Sequence, residues 1–374
     1  MRITIVQGPF LPVPPLLGGA VERSMETLGR LWAAAGCSVT HISRRFPGLP
    51  EEEVAQGVRH LRVPSDDAPR SPLLFRLREL RYVRRVLSVL PPGDVVLMNS
   101  VLMPMLLRSR RHGRLVARIE RPPKGQLRLF RHIDRVHTVS RDMHRRILAE
   151  APWLQDRVAV VGSPLAGPLR PLDPAAVPAE RQRLITYVGR IHAEKGLELL
   201  VEAFLQVAPE FPGWKLHLVG PVDVAAGGSG PGYARRLSDL AARLPDRVEL
   251  CPPLFDPAAL AAKLRETAIF AYPSLADRGE ALALAALEAA GQGAVPLVSA
   301  LACFDDYVTG GVSGVVFDHR APDPVAALAE KLRQMMGDAT GLARLRQGAL
   351  KAAAAYDAPL IAERTLADFR QLTG

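Results

Sequence analysis

The stretch from 269 to 298 constrains the fold more than any other part of the sequence. It begins with an apolar run, Ile269–Tyr272, whose four residues are typical of a buried strand. A polar turn at 277–279 leads into an Ala/Leu segment of high helix propensity, and the Gly-Gln-Gly triplet at 291–293 ends that helix. A second apolar strand follows at 295–298. This strand–helix–strand order predicts parallel strands in one sheet.

Two glutamates lie in the predicted helical part of this stretch. Glu280 stands where the turn enters the helix, and Glu288 lies about two helical turns further along. The first turn of a helix has backbone N–H groups without intrahelical partners, which suits an anion or a row of hydroxyls. A carboxylate there can accept hydrogen bonds from a sugar. Taken alone, however, the pair is better explained as a helix cap and a solvated surface charge.

The same alternation of strands and helices runs through the whole chain. Strands are predicted at 3–6, 37–42, 58–63, 94–98, 115–119, 135–139, 184–188, 215–219, 247–250 and 315–317. Helices are predicted after Gly19 and at 76–90, 140–150, 197–207, 233–244, 257–267, 324–337, 340–355 and 358–371, whereas 44–72 is mostly loop. We therefore predict an α/β protein with domains at 1–165 and 184–355, a linker at 166–183 rich in proline (Pro178 among them), and a last segment at 356–374.

The charge is distributed unevenly along the chain. Residues 1–165 carry a net charge of +13 and the remainder −3. Basic surfaces attract phosphates, including those of lipid headgroups. On the helix at 76–90 one side carries Leu73, Leu77, Leu80 and Leu87, and another carries Arg78, Arg81, Arg84 and Arg85. An anionic membrane surface is one candidate partner for that helix; an ordinary core stripe below a solvated face is the other interpretation.

Other classes of protein are disfavoured. Aromatic residues make up only 5% of the chain and no basic motif is interleaved with them, so nucleic acid is not an expected partner. The three cysteines, Cys37, Cys251 and Cys303, lack metal-ligand spacing and are interpreted as reduced structural thiols. No apolar run is long enough to span a bilayer, and the start of the chain reads as a strand. A cytoplasmic location, peripheral at the inner face of the membrane if the basic helix binds lipid, is expected.

Two strand-to-helix turns contain residues suited to phosphate. Gly18-Gly19 follows the first strand, where glycine lets backbone N–H groups approach a ligand closely. The turn lacks the G-x-G-x-x-G pattern, which disfavours a dinucleotide dehydrogenase. Arg190 and Lys195, five residues apart after the strand at 184–188, can grip a diphosphate from two sides. The alternative is a pair of solvated surface cations.

These motifs together resemble the retaining glycosyltransferases of family 4. The resemblance rests on the E-x7-E string from Glu280 to Glu288 with Tyr-Pro-Ser before it at 272–274, on Gly189-Arg190 with Glu194-Lys195-Gly196, on Gly220-Pro221 and on the Gly-Gly turn. It implies a GT-B fold, in which two Rossmann-like parallel-sheet domains face a cleft and the last helix returns to the N-terminal domain. It covers the second half of the chain strongly and the first half weakly.

The resemblance also implies an activity and roles for residues. The reaction would move a sugar from a nucleotide-diphosphate donor to a glycan, lipid-linked or small-molecule acceptor, in a hexosyltransferase-type step of cell-envelope or exopolysaccharide synthesis, without a metal or other cofactor. Catalytic roles fall on Glu280, Arg190 and Lys195. Donor binding falls on Gly18, Gly19, Gly189, Ala281, Leu282 and Glu288. A catalytically silent sugar-nucleotide-binding subunit of a polysaccharide assembly complex is the alternative.

One departure from the family pattern supports that alternative. Ile119 stands where the family commonly has a His beside the reacting sugar. The loop around it carries Arg118, Glu120, Arg121 and Lys124, which suit an acceptor with a phosphate or another acid group. A local ion-pair cluster is the other interpretation of that loop.

Overall fold

A computed structural model describes residues 1–177, 181–277 and 279–374. The chain forms two compact units, one of Met1–Pro164 with Ala358–Gly374 and the other of Leu165–Asp357. Pro178 and Arg278, which belong to the predicted linker and to the turn before Glu280, lie outside the described residues. Among the described residues, no helix is both long and apolar enough to cross a bilayer.

The first unit is built on a sheet of eight strands. They are β1 (Arg2–Val6), β2 (Ser38–Arg44), β3 (Glu52–Ala55), β4 (Val58–Val63), β5 (Val95–Met98), β6 (Arg114–Ile119), β7 (Arg135–Thr138) and β8 (Val158–Val160), in the order β3-β4-β2-β1-β5-β6-β7-β8. Only β3 pairs antiparallel, with β4. Strand β3 lies inside the segment that the sequence predicts as loop. Exposed residues alternate along this edge strand of four residues, so its sequence gives almost no apolar signal.

The helices of the first unit are α1 (Ala20–Ala34), α2 (Pro72–Val89), α3 (Met103–Leu106), α4 (Arg141–Glu150) and α11 (Ala358–Thr373). The last of these comes from the far end of the chain and packs on α1. Trp32 donates its indole N–H to the carbonyl of Ala362 (3.1 Å), and its ring meets that of Phe369 edge-on at 5.4 Å. The first unit is therefore assembled from two segments of the chain.

Helix α2 presents a different face to the core from the predicted one. Its buried residues are Glu79, Tyr82, Val83 and Val86. By contrast, Leu73 and Leu77 are 70% and 45% exposed. The predicted leucine core stripe is wrong, because a second stripe of tyrosine and valine also recurs at helical spacing and packs on the sheet. Glu79, on the same buried face, accepts the backbone N–H groups of residues 101 and 102.

The second unit contains a six-stranded, wholly parallel sheet. Its strands are β9 (Leu184–Val188), β10 (Lys215–Val219), β11 (Val248–Cys251), β12 (Ile269–Tyr272), β13 (Val295–Ser299) and β14 (Val315–Phe317), in the order β11-β10-β9-β12-β13-β14. Its helices are α5 (Leu197–Val207), α6 (Pro231–Ala241), α7 (Pro257–Glu266), α8 (Leu284–Gly291), α9 (Pro324–Gly337) and α10 (Ala339–Ala354). The two parallel-sheet α/β units confirm the predicted fold class.

The start of the proline-rich stretch packs on the second unit. The N–H of Leu165 donates to the carbonyl of Tyr356, and that of Leu172 donates to the carbonyl of Gly291, both at 2.8 Å. The side-chain amide of Gln292 donates to the carbonyl of Arg170. These bonds attach Leu165 to the turn after α10 and residues 170–172 to the end of α8.

Candidate functional site

The loop after β9 carries the two predicted diphosphate-binding cations. Arg190 is about half exposed and donates to the carbonyl of Gly227 (3.0 Å) and to the carboxylate of Glu194 (2.9 Å). Lys195 is different, because only 5% of its side chain is exposed. The loop therefore holds one solvent-facing guanidinium and one buried ammonium, a few residues apart.

The buried ammonium is paired with the predicted sugar-binding carboxylate. Lys195 Nζ donates to Glu280 Oε1 in a short contact. The same oxygen accepts from the hydroxyls of Tyr272 (3.2 Å) and Ser274 (3.1 Å). Burial and the charge of Glu280 hold the pKa of Tyr272 well above its usual range, so this hydroxyl stays protonated and can donate. Glu280 thus joins the loop after β9 to the loop after β12.

The backbone also holds these two loops together. The N–H of Leu275 donates to the carbonyl of Glu194 at 2.8 Å. Gly196 has a φ of +67°, and a Cβ there would lie 2.2 Å from the carbonyl oxygen of Pro273. Only glycine allows this close approach, and Lys195 is the residue directly before it. The glycine therefore fixes where the lysine can place its ammonium.

The predicted helix mouth at Glu280 is wrong. Helix α8 begins at Leu284, after Ala283 in a left-handed conformation (φ 47°). Glu280, Ala281 and Leu282 lie in the loop before it, so the amides of 281 and 282 are not first-turn donors of α8. The Ala/Leu propensity is overridden because the carboxylate of Glu280 is held by Lys195 and two hydroxyls instead.

Glu288, the second glutamate of the string, does lie on α8. It is buried, with 6% of its surface exposed. The two glutamates therefore come from a loop and from the helix that follows it, rather than from one continuous helix. The spacing of the two glutamates in the sequence is unchanged, but the position of the Glu280 carboxylate is set by the loop and not by the helix.

A cavity that the sequence analysis missed adjoins Arg190. Its volume is about 340 Å³, and it is lined by Ile191, Leu218, Gly220, Pro221, Val222, Asp223, Ala226, Leu250, Cys251, Pro252, Pro253 and Phe255. These residues lie at the carboxyl ends of β10 and β11 and in the loops after β9, β10 and β11, which are neighbours in the sheet. The carboxyl ends of adjacent parallel strands meet at one edge of the sheet, which is where such cavities form. The order of these strands in the sheet would indicate the cavity, but the sequence does not give that order. A larger cavity, of 640 Å³, opens at the amino ends of β1 and β6, where no predicted site residue lies.

The glycine turn in the first unit contacts a buried glutamate that the sequence analysis also missed. Gly18 and Gly19 have φ values of +77° and +107°. Glu22, on the first turn of α1, is buried and accepts from the side-chain amide of Gln7 at 3.0 Å. Burial raises its pKa, and the charge of nearby Glu120 raises it further. The turn and the loop after β6 therefore share one edge of the first sheet.

The loop after β6 divides into a buried and an exposed part. Arg118 is fully buried, forms a short ion pair with Glu120 and donates to the carbonyl of Gly162 (3.0 Å). It is wrong to place Arg118 among cations that can meet a ligand, because its hydrogen bonds hold the end of β6. Arg121 and Lys124 are exposed. Ile119 is 8% exposed, and its carbonyl accepts from the hydroxyl of Thr138.

Comparison with known proteins finds a family model that matches the second unit. Residues 171–352 match the family model described as glycosyl transferases group 1. The match covers just under half of the chain and includes Arg190, Lys195, Glu280 and Glu288.

A curated relative and two solved structures extend the comparison. The D-inositol 3-phosphate glycosyltransferase of Thermobispora bispora is 33% identical over 178 residues, which are 46% of this chain and 40% of the relative. This chain thus spans about two fifths of the length of the curated relatives it matches. Sucrose-phosphate synthase from Thermosynechococcus elongatus has a TM-score of 0.77 at 21% identity, covering 100% of this chain and 99% of that one. Anabaena HepE in complex with UDP and glucose has a TM-score of 0.73 at 16% identity, covering 99% and 100%. At these identities the structures support the GT-B fold alone.

Proposed function

We propose that this protein is a retaining glycosyltransferase of family 4 that moves a sugar, of hexose type, from a nucleotide-diphosphate donor to an acceptor. The observation that carries the proposal is the buried Lys195–Glu280 pair beside Arg190, at the carboxyl ends of β9 and β12. Open parallel sheets bind ligands at this edge. The family match over residues 171–352 supports the same assignment.

The charges of this loop suit a departing diphosphate. Arg190, Lys195 and Glu194 of this loop, together with Glu280 of the loop after β12, are two cations and two carboxylates, so the four side chains carry no net charge before the donor binds. The donor is then held by directed hydrogen bonds, rather than by a long-range field. As the glycosidic bond breaks, the diphosphate gains negative charge, and the arginine and lysine stabilise it.

The remaining donor contacts are proposed from the family resemblance. Glu280 and the amides of Ala281 and Leu282 orient the sugar, and Glu288 binds the ribose. The 340 Å³ cavity beside Arg190 is large enough for a nucleobase, and Ile191 and Pro221 offer apolar contacts to its faces. HepE has been solved in complex with UDP and glucose and with UDP-glucose, which makes a uridine nucleotide the first donor to test. The roles of Gly18, Gly19 and Gly189 in donor binding stay predictions.

The test is incubation of the protein with labelled sugar nucleotides, after a thermal-shift screen to find which ones bind. A ligand that binds only the native state raises its melting temperature, so the screen reports binding independently of catalysis. Transfer with retention at the anomeric carbon is the expected result. Binding without transfer to any acceptor would instead support the silent sugar-nucleotide-binding subunit.

The acceptor is proposed to carry a phosphate or another acid group. Arg121→Ala and Lys124→Ala should raise KM for the acceptor several-fold and leave donor affinity nearly intact, because both cations are exposed on the first unit. A relative is named for D-inositol 3-phosphate, which makes sugar phosphates the first acceptors to assay. Steady-state kinetics with each substrate varied in turn checks the prediction.

Arg111→Ala is the matched control, since it removes an exposed arginine elsewhere on the first unit. Loss of donor affinity in the Arg121 variant, with unchanged acceptor dependence, would place this loop at the donor. No change in either constant would make it a structural loop.

We further propose that α2 binds an anionic membrane surface, which places the enzyme at the inner face of the membrane in cell-envelope or exopolysaccharide synthesis. Leu73 and Leu77 are exposed, as are Arg81, Arg84 and Arg85 on the same helix. Apolar side chains beside cations are the composition of interfacial helices.

Vesicles that contain anionic lipid should bind the protein at low salt and release it as salt rises, because exposed charges are screened beyond about 10 Å at 0.1 M. Leu73→Ser/Leu77→Ser and Arg81→Ala/Arg84→Ala should each weaken binding in a sedimentation assay. Leu360→Ser, which changes an exposed leucine on α11, should not. Equal binding to neutral and anionic vesicles would contradict the proposal.

A further inference from the structure

Three side chains of the types that bind metals lie together on two neighbouring strands of the second unit. They are His217 on β10 and Glu249 and Cys251 on β11, and their ligand atoms all lie within 4.8 Å of one another. His217 is directly opposite Glu249 in the parallel register, and Cys251 stands two residues after Glu249. Successive side chains alternate along a strand, so all three point to the same face of the sheet.

We propose that His217, Glu249 and Cys251 bind a divalent transition-metal ion of the zinc class. An imidazole nitrogen, a thiolate and a carboxylate oxygen are the three ligand types that Zn²⁺ takes in proteins. Three protein ligands leave a fourth tetrahedral position for water. The thiolate excludes Mg²⁺ and Ca²⁺ as the preferred ions, since these take oxygen ligands.

The imidazole of His217 has ring nitrogens that are open to a metal ion. Its Nδ1 has no hydrogen-bond partner among the residues that the structure describes. Its Nε2 lies 3.7 Å from Glu249 Oε2, which is too long for a hydrogen bond. The imidazole of His217 therefore lies close to the carboxylate of Glu249 without a hydrogen bond to it.

A metal ion binds the thiolate form of a cysteine, so Cys251 would lose its proton on binding. A bound cation replaces the thiol proton, which goes to solvent as the metal–sulfur bond forms. The other charges nearby are Lys215, Lys263 and Glu266. Lys263 lies 3.8 Å from Glu266, so that carboxylate offsets the charge of the lysine.

The site cannot be recognised in the sequence, because His217 stands far from Glu249 and Cys251 and no ligand-spacing motif links them. It is brought together only by the pairing of β10 with the edge strand β11. None of the three side chains belongs to the Lys195–Glu280 arrangement, but Cys251 also lines the cavity proposed for the nucleobase. Metal binding is therefore measured without any sugar nucleotide, so that its outcome is independent of the proposed transferase function.

The test is titration of the reduced, full-length protein with Co²⁺, followed by competition with Zn²⁺. Cobalt bound to a thiolate gives a charge-transfer absorption band in the near ultraviolet, and one equivalent should saturate it. Cys251→Ser should abolish the band, and His217→Ala should weaken Co²⁺ binding by about tenfold or more. Cys37→Ser, which removes another half-buried free thiol, should leave the titration unchanged.

A second readout covers the case in which a variant is less stable. Zn²⁺ should raise the melting temperature of the wild-type protein and of Cys37→Ser, but not of Cys251→Ser or His217→Ala. Far-ultraviolet circular dichroism establishes that each variant is folded before titration. A thiolate band that survives in Cys251→Ser, or a wild-type protein that shows neither the band nor the thermal shift, would overturn the proposal.

Discussion

Lys195→Ala is expected to lower turnover of the donor by at least about a hundredfold, which is the scale for losing one group that stabilises developing charge. The lysine is the more important of the two cations because its ammonium is buried and fixed by Glu280, whereas Arg190 is half exposed. A buried charge acts in a lower effective dielectric, so its interaction with the diphosphate is less screened. The measurement is steady-state kinetics with the donor found by the thermal-shift screen.

The same variant should also be less stable. Removing one partner of a buried ion pair leaves the other charge unpaired, which costs about 3–5 kcal/mol. Activity must therefore be measured well below the melting temperature of the variant. The double variant Lys195→Ala/Glu280→Gln tests the stability effect alone, because the neutral amide should restore stability, whereas its catalysis lacks both groups.

The matched control is Lys351→Ala, which removes an exposed lysine of α10. It should keep wild-type turnover and stability. Wild-type donor binding and turnover in Arg190→Ala/Lys195→Ala would show that this loop does not bind the diphosphate.

The second large effect is a loss of stability in acid that arises in the first unit. His41 and His60 face each other on β2 and β4, with ring centroids 5.7 Å apart. Complete burial lowers the pKa of His41 to about 3, and burial also lowers that of His60. In the unfolded chain both imidazoles take up a proton near pH 6.5. As pH falls below that value, the unfolded state binds protons that the folded state does not bind, so the folded state becomes less stable.

The sign and the window follow from those values. The contribution of His41 to stability is fully present above pH 6.5 and is lost as pH falls toward 3. Between pH 7 and pH 4 the loss is roughly 3 kcal/mol for this residue alone. Urea unfolding at a series of pH values, followed by circular dichroism, measures it.

His41→Leu removes the titration and fills a similar volume, and both ring nitrogens of His41 are without hydrogen-bond partners in the described part of the chain. We expect the variant to lose distinctly less stability between pH 7 and pH 4 than the wild type. His144→Gln, on α4, is the control and should follow the wild-type curve. A pH dependence that His41→Leu leaves unchanged would assign the acid loss to other groups.

The sequence predicts best where local periodicity and burial agree. The bounds of α5 and β10 are those predicted, because one is an amphipathic run after a glycine and the other a short strand between turns with leucines at alternate positions. Family-like spacing also indicates Arg190, Lys195 and Glu280, and the structure brings Lys195 and Glu280 into contact; their roles stay predictions. Each of these residues follows a strand whose pattern is unambiguous.

The failures lie where contacts distant in sequence decide the local structure. The start of α8 is delayed because Glu280 is held by Lys195, eighty-five residues earlier in the chain. The buried face of α2 is selected by the sheet below it, since two apolar stripes were available on that helix. The cavity beside Arg190 depends on the order of β9, β10 and β11 in the sheet, which periodicity does not encode.

The position of α11 has a consequence for biosynthesis. The second unit is one uninterrupted segment, whereas the first needs residues 358–374 to cover α1. During translation the N-terminal sheet emerges first, but its last helix is made only after the whole second unit has been synthesised. Until then Trp32 lacks the partners that bury it, so the half of the protein that is synthesised first is the half that completes its folding last.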